Sequence, residues 1–397
     1  MTTASEDTAA RNGAWPYFAA DEIEAARQVL ASGKVNYWTG KECRGFEEEY
    51  AAFLGVRHAI ALSNGTVALE LALRALGVGA GDEVVVPAKT FIASASAVVM
   101  CGATPIICDV ALESQNMTAE TVLAVLSPRT RAIIPVHLGG WPCDMEPLLA
   151  LAAQHGLFVI EDCAQAHGGR YRGRPVGSFG HCAAFSFCQD KIMTTGGEGG
   201  LLVTSDAAVW DRAWSFKDHG KSYAAVHSGV PSEGFAWVHE SFGSNMRMTE
   251  MQAAIGRLQL QKLPIWVERR RHHAELLDEG LAGAPGVQVA KPGPDFHHAY
   301  YKYYFHLQPD ALKPGWDKAR ILKAVHAEGV PCFSGSCSEI YREKAFRSAG
   351  LGPRQPLPNA SRLEETSLML LVHPTLGEAD LAKAAQAVRK VMFEAAR

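Results

Sequence analysis

Between residues 57 and 205 the chain repeats one unit, a short β-branched apolar run followed by a stretch with helical spacing. The runs are HAIAL (58–62), EVVVP (83–87), PIICDV (105–110), AIIPVHL (132–138), LFVIED (157–162), AAFSF (183–187) and GLLVT (200–204). Apolar runs of this length suit strands covered on both faces, and helices between them let successive strands lie parallel. The alternation predicts an α/β fold with a doubly wound, mostly parallel sheet. Thr66 to Leu76 repeats apolar residues at helical spacing and meets Gly77, a stop signal. Asp21, three residues before Glu24, reads as a capping box for a helix through Leu30.

The length of 397 residues, 48% of them apolar, is enough for two domains. A leader over 1–13, polar and without signal-peptide character, is expected to be disordered. A large domain is expected over 14–258 and a smaller C-terminal α/β domain over 259–397. A long helix from about Thr249 past Arg271 marks the passage between them, and a last helix covers about Glu378 to Ala396. The uncharged stretch from Thr90 to Cys108 has the length of a membrane span. Gly102 and Pro105 break it into a short helix and a strand, so no membrane association is expected. A net charge of −4, with no Lys/Arg tract, makes nucleic acid an unsuitable partner. The nine cysteines are odd in number and form no CxxC pair, which points to reduced thiols in a cytoplasmic protein and to no zinc site.

In a doubly wound sheet, ligands gather at the carboxyl ends of the strands, so polar residues placed directly after the apolar runs are the first candidates. Ser63-Asn64-Gly65-Thr66 lies between a strand and a helix, where free backbone amides can hold a phosphate. An ordinary capped turn reads the same way. Asp162 follows LFVIE and can keep a ring nitrogen protonated; a metal ligand or a helix cap fits that position equally. Lys191 stands between two core strands, where a buried ammonium is costly and the free, imine-forming amine is favoured. Ser186, five residues earlier, is either a phosphate donor or a hydrogen-bonded core serine.

Taken in order, SNGT, PAKTFIASA, VIEDCAQAHG, FSFCQDKIMTTGGEGG and FGSNMRMTEMQAAIG resemble the DegT/DnrJ/EryC1/StrS family of sugar aminotransferases, and the resemblance runs from about Val35 to His373. It implies the pyridoxal-phosphate-dependent transferase fold, type I. It implies pyridoxal 5'-phosphate bound covalently to Lys191, Asp162 on the pyridinium nitrogen, Gln165 near the ring hydroxyl and Phe91 stacked on the ring. Gly65, Thr66 and Ser186 match phosphate donors from one subunit, and Asn245 resembles a donor reaching in from its neighbour, which requires a homodimer. Family members that dehydrate sugars carry histidine at the lysine position, so Lys191 argues for transamination. The implied reaction passes an amino group from glutamate, through pyridoxamine 5'-phosphate, to a nucleotide-linked keto sugar, expected to be a UDP- or dTDP-linked 3- or 4-keto hexose in O-antigen or deoxyamino sugar biosynthesis. A cyclitol ketone, or another reaction on the same fold, is the alternative.

Other features take plainer readings. Lys217, His219 and Lys221 are weaker candidates for substrate contact. Tyr300, Tyr301, Tyr303 and Tyr304 look like a functional cluster, but strand alternation would bury half of them in the small domain's core, and core packing is expected for most. Cys332 and Cys337 fit a substrate-side loop better than a desulfurase thiol. The adjacent His272 and His273 face different directions on a helix and are expected in solvent.

Overall fold

The seven apolar runs become the seven strands of one sheet in the computed structural model, which describes residues 14–228 and 237–397. The expected leader lies outside the described residues. In spatial order the strands are His58–Leu62, Gly200–Thr204, Cys182–Ser186, Phe158–Asp162, Thr130–Ile133, Glu83–Pro87 and Thr104–Cys108. Gly200–Thr204 alone runs against the rest, so the sheet is mixed and mostly parallel as expected. The fourth run stops as a strand at Ile133, shortly before Pro135, which has no N–H to donate to a ladder.

Helices cover the sheet. The helix Gly65–Ala75 buries Ala68, Leu69, Ala72 and Leu73 against Ile60, Val84, Val86 and Leu202. The uncharged 90–108 stretch resolves into a helix, Ala93–Met100, and the buried edge strand Thr104–Cys108. No helix among the described residues is long and apolar enough to cross a membrane. The first helix spans Ala20–Ser32, but its N-terminus is capped by a different acid from the one expected. Glu22, not Glu24, accepts from the Ala19 N–H at 2.5 Å, while Glu24 turns outward to Arg27.

The helix Glu250–Leu281 connects two cores. Its first half gives Leu260, Leu263 and Val267 to the large core, and its last turns give Ala274, Leu277 and Leu281 to a second one. That second core packs under a four-stranded antiparallel sheet ordered Val287–Gln288, Tyr303–Leu307, Ser367–Leu370 and Cys332–Phe333. The terminal helix Glu378–Ala395 closes it with Leu381, Val388 and Met392. His273 corrects the expectation of exposure. It is buried on the helix Glu250–Leu281, with Nδ1 3.2 Å from the Val372 carbonyl oxygen.

Candidate active site

Three strand ends of the large sheet meet at one cavity of about 900 Å³. The first carries the helix Gly65–Ala75, whose N-cap Asn64 accepts from Val67 N at 3.0 Å. Amides in a first helical turn have no intrahelical acceptor, and the helix dipole adds positive potential, so Gly65 and Thr66 form an anion cradle on the cavity wall. Gly65 is required by contact: a Cβ there would lie 2.6 Å from the Ser186 Cβ. Ser186 ends the strand Cys182–Ser186, which Gly200–Thr204 separates from His58–Leu62, and its hydroxyl lies beside this cradle. Behind it, burial pushes His167 down to about 3, so the ring is neutral. Nε2 then donates to the Ser186 carbonyl at 2.8 Å while Nδ1 accepts from Tyr50 at 2.7 Å.

The second strand end carries Asp162, 6% exposed. Its Oδ2 accepts from Ser94 Oγ at 2.8 Å and its Oδ1 from Ala164 N at 3.1 Å, which fixes the carboxylate plane. The preceding Glu161 points to the opposite face, where Gly177, Phe179 and Gly180 N–H groups and His137 satisfy it. The cluster His137, Glu161 and Cys163 has metal-like spacing, but those three backbone donors occupy the carboxylate oxygens and make it a structural tie. Gln165, on the turn after Asp162, accepts from Gly139 N at 2.8 Å and directs its amide toward Ser336 Oγ at 3.4 Å.

The third element is the loop holding Lys191, whose carbonyl accepts from Trp15 Nε1 at 2.9 Å. The side chain is half-buried and opens into the cavity, so it is less enclosed than its place between two core strands suggested. Its Nζ lies 4.9 Å from the Tyr301 ring centroid. Phe91, 66% exposed, offers a flat aromatic face on the same wall. Gly65, Thr66, Phe91, Asp162, Gln165, Ser186 and Lys191 therefore share one cavity. An anion cradle, a fixed carboxylate, an amine and a free aromatic face together suit a flat ring bearing an anionic tail.

Asn245 does not join them. It is exposed, bridged to Asp218, and absent from the cavity wall. Lys217 is fully buried with Nζ 3.5 Å from the Tyr37 centroid, which removes it from contact with a substrate in this cavity. Lys221 pairs with Asp218 at 3.0 Å. Burial pushes the Cys332 thiol up to about 12 and raises Cys337 as well, and neither lines the cavity.

The small domain supplies wall residues that sequence reasoning missed or misplaced. Tyr301 and Tyr304 both line the cavity instead of packing only in a core. Tyr301 donates to Asp190 Oδ2 at 2.5 Å, and the Tyr304 hydroxyl accepts from Ser336 N at 3.0 Å. Tyr303 is the core residue of the group, 1% exposed, donating to Asp278 at 2.8 Å. The segment reaches the cavity because Ala299 N and Lys302 N donate to the Gly140 and Gly139 carbonyls at 2.9 and 3.3 Å. A Cβ on Gly140 would lie 2.8 Å from Tyr300 N. The glycine pair in VHLGGW was the available signal.

Residues 16–389 match the DegT/DnrJ/EryC1/StrS aminotransferase family. The chain is 38% identical over 354 residues, 89% of each protein, to a UDP-N-acetyl-3-dehydro-alpha-D-glucosamine 3-aminotransferase of Acidithiobacillus ferrooxidans. It is 40% identical over 305 residues to the L-glutamine:2-deoxy-scyllo-inosose aminotransferase of Micromonospora echinospora, covering 75% of this chain and 72% of that protein. The solved aminotransferase from Psychrobacter cryohalolentis superposes with a TM-score of 0.94 at 51% identity, over 96% of this chain and 98% of that one. With the lysine, the carboxylate and the anion cradle converging on one cavity, the chain belongs to the DegT/DnrJ/EryC1/StrS family and is an aminotransferase.

Proposed function

We propose that this aminotransferase uses pyridoxal 5'-phosphate to move an amino group from glutamate to a keto sugar linked to UDP or dTDP. The observation that carries the reading is the meeting of Lys191, Asp162 and the Gly65–Thr66 helix end at one cavity. Bound there, the cofactor supplies an aldehyde that joins amines and a ring that withdraws electrons from the neighbouring carbon. Lys191 would hold it through Nζ and, as a free amine, would accept the proton from the substrate Cα and return it to the carbon that carried the aldehyde. Asp162, locked by Ser94 and Ala164, keeps the ring nitrogen protonated. Gly65, Thr66 and Ser186 would hold its phosphate, Phe91 would offer the ring an aromatic face, and Gln165 would offer its ring hydroxyl a hydrogen-bond partner.

The exposure of Asn245 outside its own cavity supports a homodimer in which it completes the phosphate site of the neighbouring subunit. The setting is a cytoplasmic one, in deoxyamino sugar biosynthesis. The relative named for a UDP-linked 3-keto sugar, matched along 89% of each chain, supports a nucleotide-linked acceptor. The inosose relative favours a second reading, a cyclitol ketone. The test is titration of the pyridoxamine-loaded enzyme with UDP-, dTDP- and GDP-linked keto sugars and with scyllo-inosose, following return of the cofactor's aldehyde-derived absorption. A response to a nucleotide sugar is expected; a response to scyllo-inosose alone selects the cyclitol, and a response to none defeats both.

A further inference from the structure

Among the described residues, the cavity described above carries two lysines on its wall, Lys191 and Lys302, and no arginine. Lys191 is committed to the cofactor. Lys302 comes from the small domain, beside the strand Tyr303–Leu307, with its side chain 13% exposed. Both amines face the same ring, Lys191 Nζ at 4.9 Å and Lys302 Nζ at 4.5 Å from the Tyr301 centroid. A cation this close to the reacting amine is unfavourable unless an anion sits with it.

Asp190 is the resident counter-charge, but it does not occupy Lys302 fully. Its Oδ2 already accepts a 2.5 Å hydrogen bond from Tyr301, and Lys302 Nζ stands at 3.4 Å from the same oxygen. Buried Arg270 adds positive charge behind this wall, its guanidinium donating to the Tyr300 and Tyr301 carbonyls at 3.4 and 3.3 Å. Burial, and then Arg270 and Lys302 in turn, push nearby His373 down to about 3, so this neighbour stays uncharged. With Lys191 committed to the cofactor, Lys302 and Arg270 share one carboxylate, Asp190, among the described residues on this side of the cavity.

Resting on the reading of the protein as a glutamate-using aminotransferase, we infer that Lys302 is the specificity-determining residue that holds a carboxylate of the amino donor. An amino acid carries its α-carboxylate one carbon from the reacting nitrogen, and so within reach of a cation that shares the Tyr301 ring with Lys191. The diphosphate of a nucleotide sugar is separated from its ketone by atoms of the sugar ring and belongs farther out. Lys302 is held at this depth by its own N–H on the Gly139 carbonyl, so the site is built by the docking of the small domain.

The experiment compares Lys302→Met and Lys302→Arg with the native holoenzyme. Calorimetric binding of glutarate, a dicarboxylate without the amine, is expected to weaken by about tenfold to a hundredfold in Lys302→Met, the value of one charge-assisted hydrogen bond, and to recover in Lys302→Arg. Stopped-flow conversion by L-glutamate is expected to show the loss in KM more than in kcat. Trapping of pyridoxal phosphate on Lys191 with borohydride reports the parent reading separately. Normal trapping in Lys302→Met with unchanged glutarate affinity overturns this inference alone, and absence of trapping in the native enzyme overturns the parent reading. If Lys302→Met does not fold, Lys302→Gln takes its place with the same expected loss and the same overturning result. Equal weakening of glutarate and of its uncharged diamide, glutaramide, also overturns the inference, because a general distortion would produce it.

Discussion

The two walls of the cavity are built in opposite ways. On the large-sheet wall the nearby backbone presents the groups: Asn64 caps the helix that presents Gly65, and Ala164 N braces Asp162, with Ser94 as its one distant hydrogen-bond partner. On the small-domain wall, Tyr301, Lys302 and Tyr304 are held across long sequence separations, by Gly139, Gly140, Asp190 and Ser336. The first wall is a property of strand ends, and the second of how two domains dock. Chemistry common to a family belongs on the first; choice of substrate can change on the second without disturbing the cofactor.

Substitutions on the large-sheet wall should therefore cost turnover. Lys191→Ala removes both the covalent tether and the proton carrier, and turnover should fall by at least about 10²- to 10⁴-fold. Circular dichroism and melting temperature should stay native, because the side chain is half-buried on a loop and makes no hydrogen bond through Nζ among the described residues. Retained turnover would remove Lys191 from the reaction. Asp162→Asn keeps the shape and the acceptor for Ser94 but loses the charge opposite the ring nitrogen. A fall of about a hundredfold to a thousandfold is expected, with cofactor absorption still present after gel filtration.

The small-domain wall should respond differently. Gly140→Ala places a Cβ 2.8 Å from Tyr300 N at a backbone φ of 95°, so the segment 300–302 must lift. A loss of about 1–3 kcal/mol in urea unfolding is expected. The KM for glutamate should rise while borohydride still traps cofactor on Lys191. Equal loss of trapping would show that the two walls are not separable.

The same contrast explains what could be read from the chain. Asp162 ends an apolar run, Ser186 lies within one, and Gly65 and Lys191 come within four residues of one, so strand periodicity put them near the ligand edge and the family resemblance supplied their roles. Ser94 was not legible as the partner of Asp162, because 68 positions separate them and only the parallel crossover brings them together. Alternation did not say which of the four tyrosines enter the core: Tyr300 has a φ of 45°, which breaks the extended pattern and turns the Tyr301 side chain toward Asp190. The capping acid of the first helix was misread by two residues because Asp21 and Glu22 both stand in the first turn and only the backbone path chooses between them. Lys217 resembled a ligand-binding cation, and its burial against Tyr37 depends on a segment some 180 residues away.

The last expected effect falls on stability and not on turnover, and concerns a second tie between the walls. Residues 88–90 follow the strand Glu83–Pro87 and clasp the small-domain segment 337–340: Thr90 N donates to Cys337 O at 3.2 Å and Ile340 N to Ala88 O at 3.1 Å. Between them Lys89 is wholly buried, donating to Ser338 Oγ at 2.9 Å. Burial, reinforced by Lys318, pushes its ammonium down to about 7. In the unfolded chain the same group titrates near 10.4. Across the interval between these values the unfolded state binds the extra proton, so stability rises with pH from about 7 to about 10. Below about 7 both states are charged and the burial penalty is felt in full. Lys89→Met removes this contribution, so its stability relative to the native protein should be greatest at pH 6 and decline toward pH 10, read from urea midpoints. A difference that stays flat with pH would mean that Lys89 keeps its ordinary charge in the fold and that the clasp tolerates it through water.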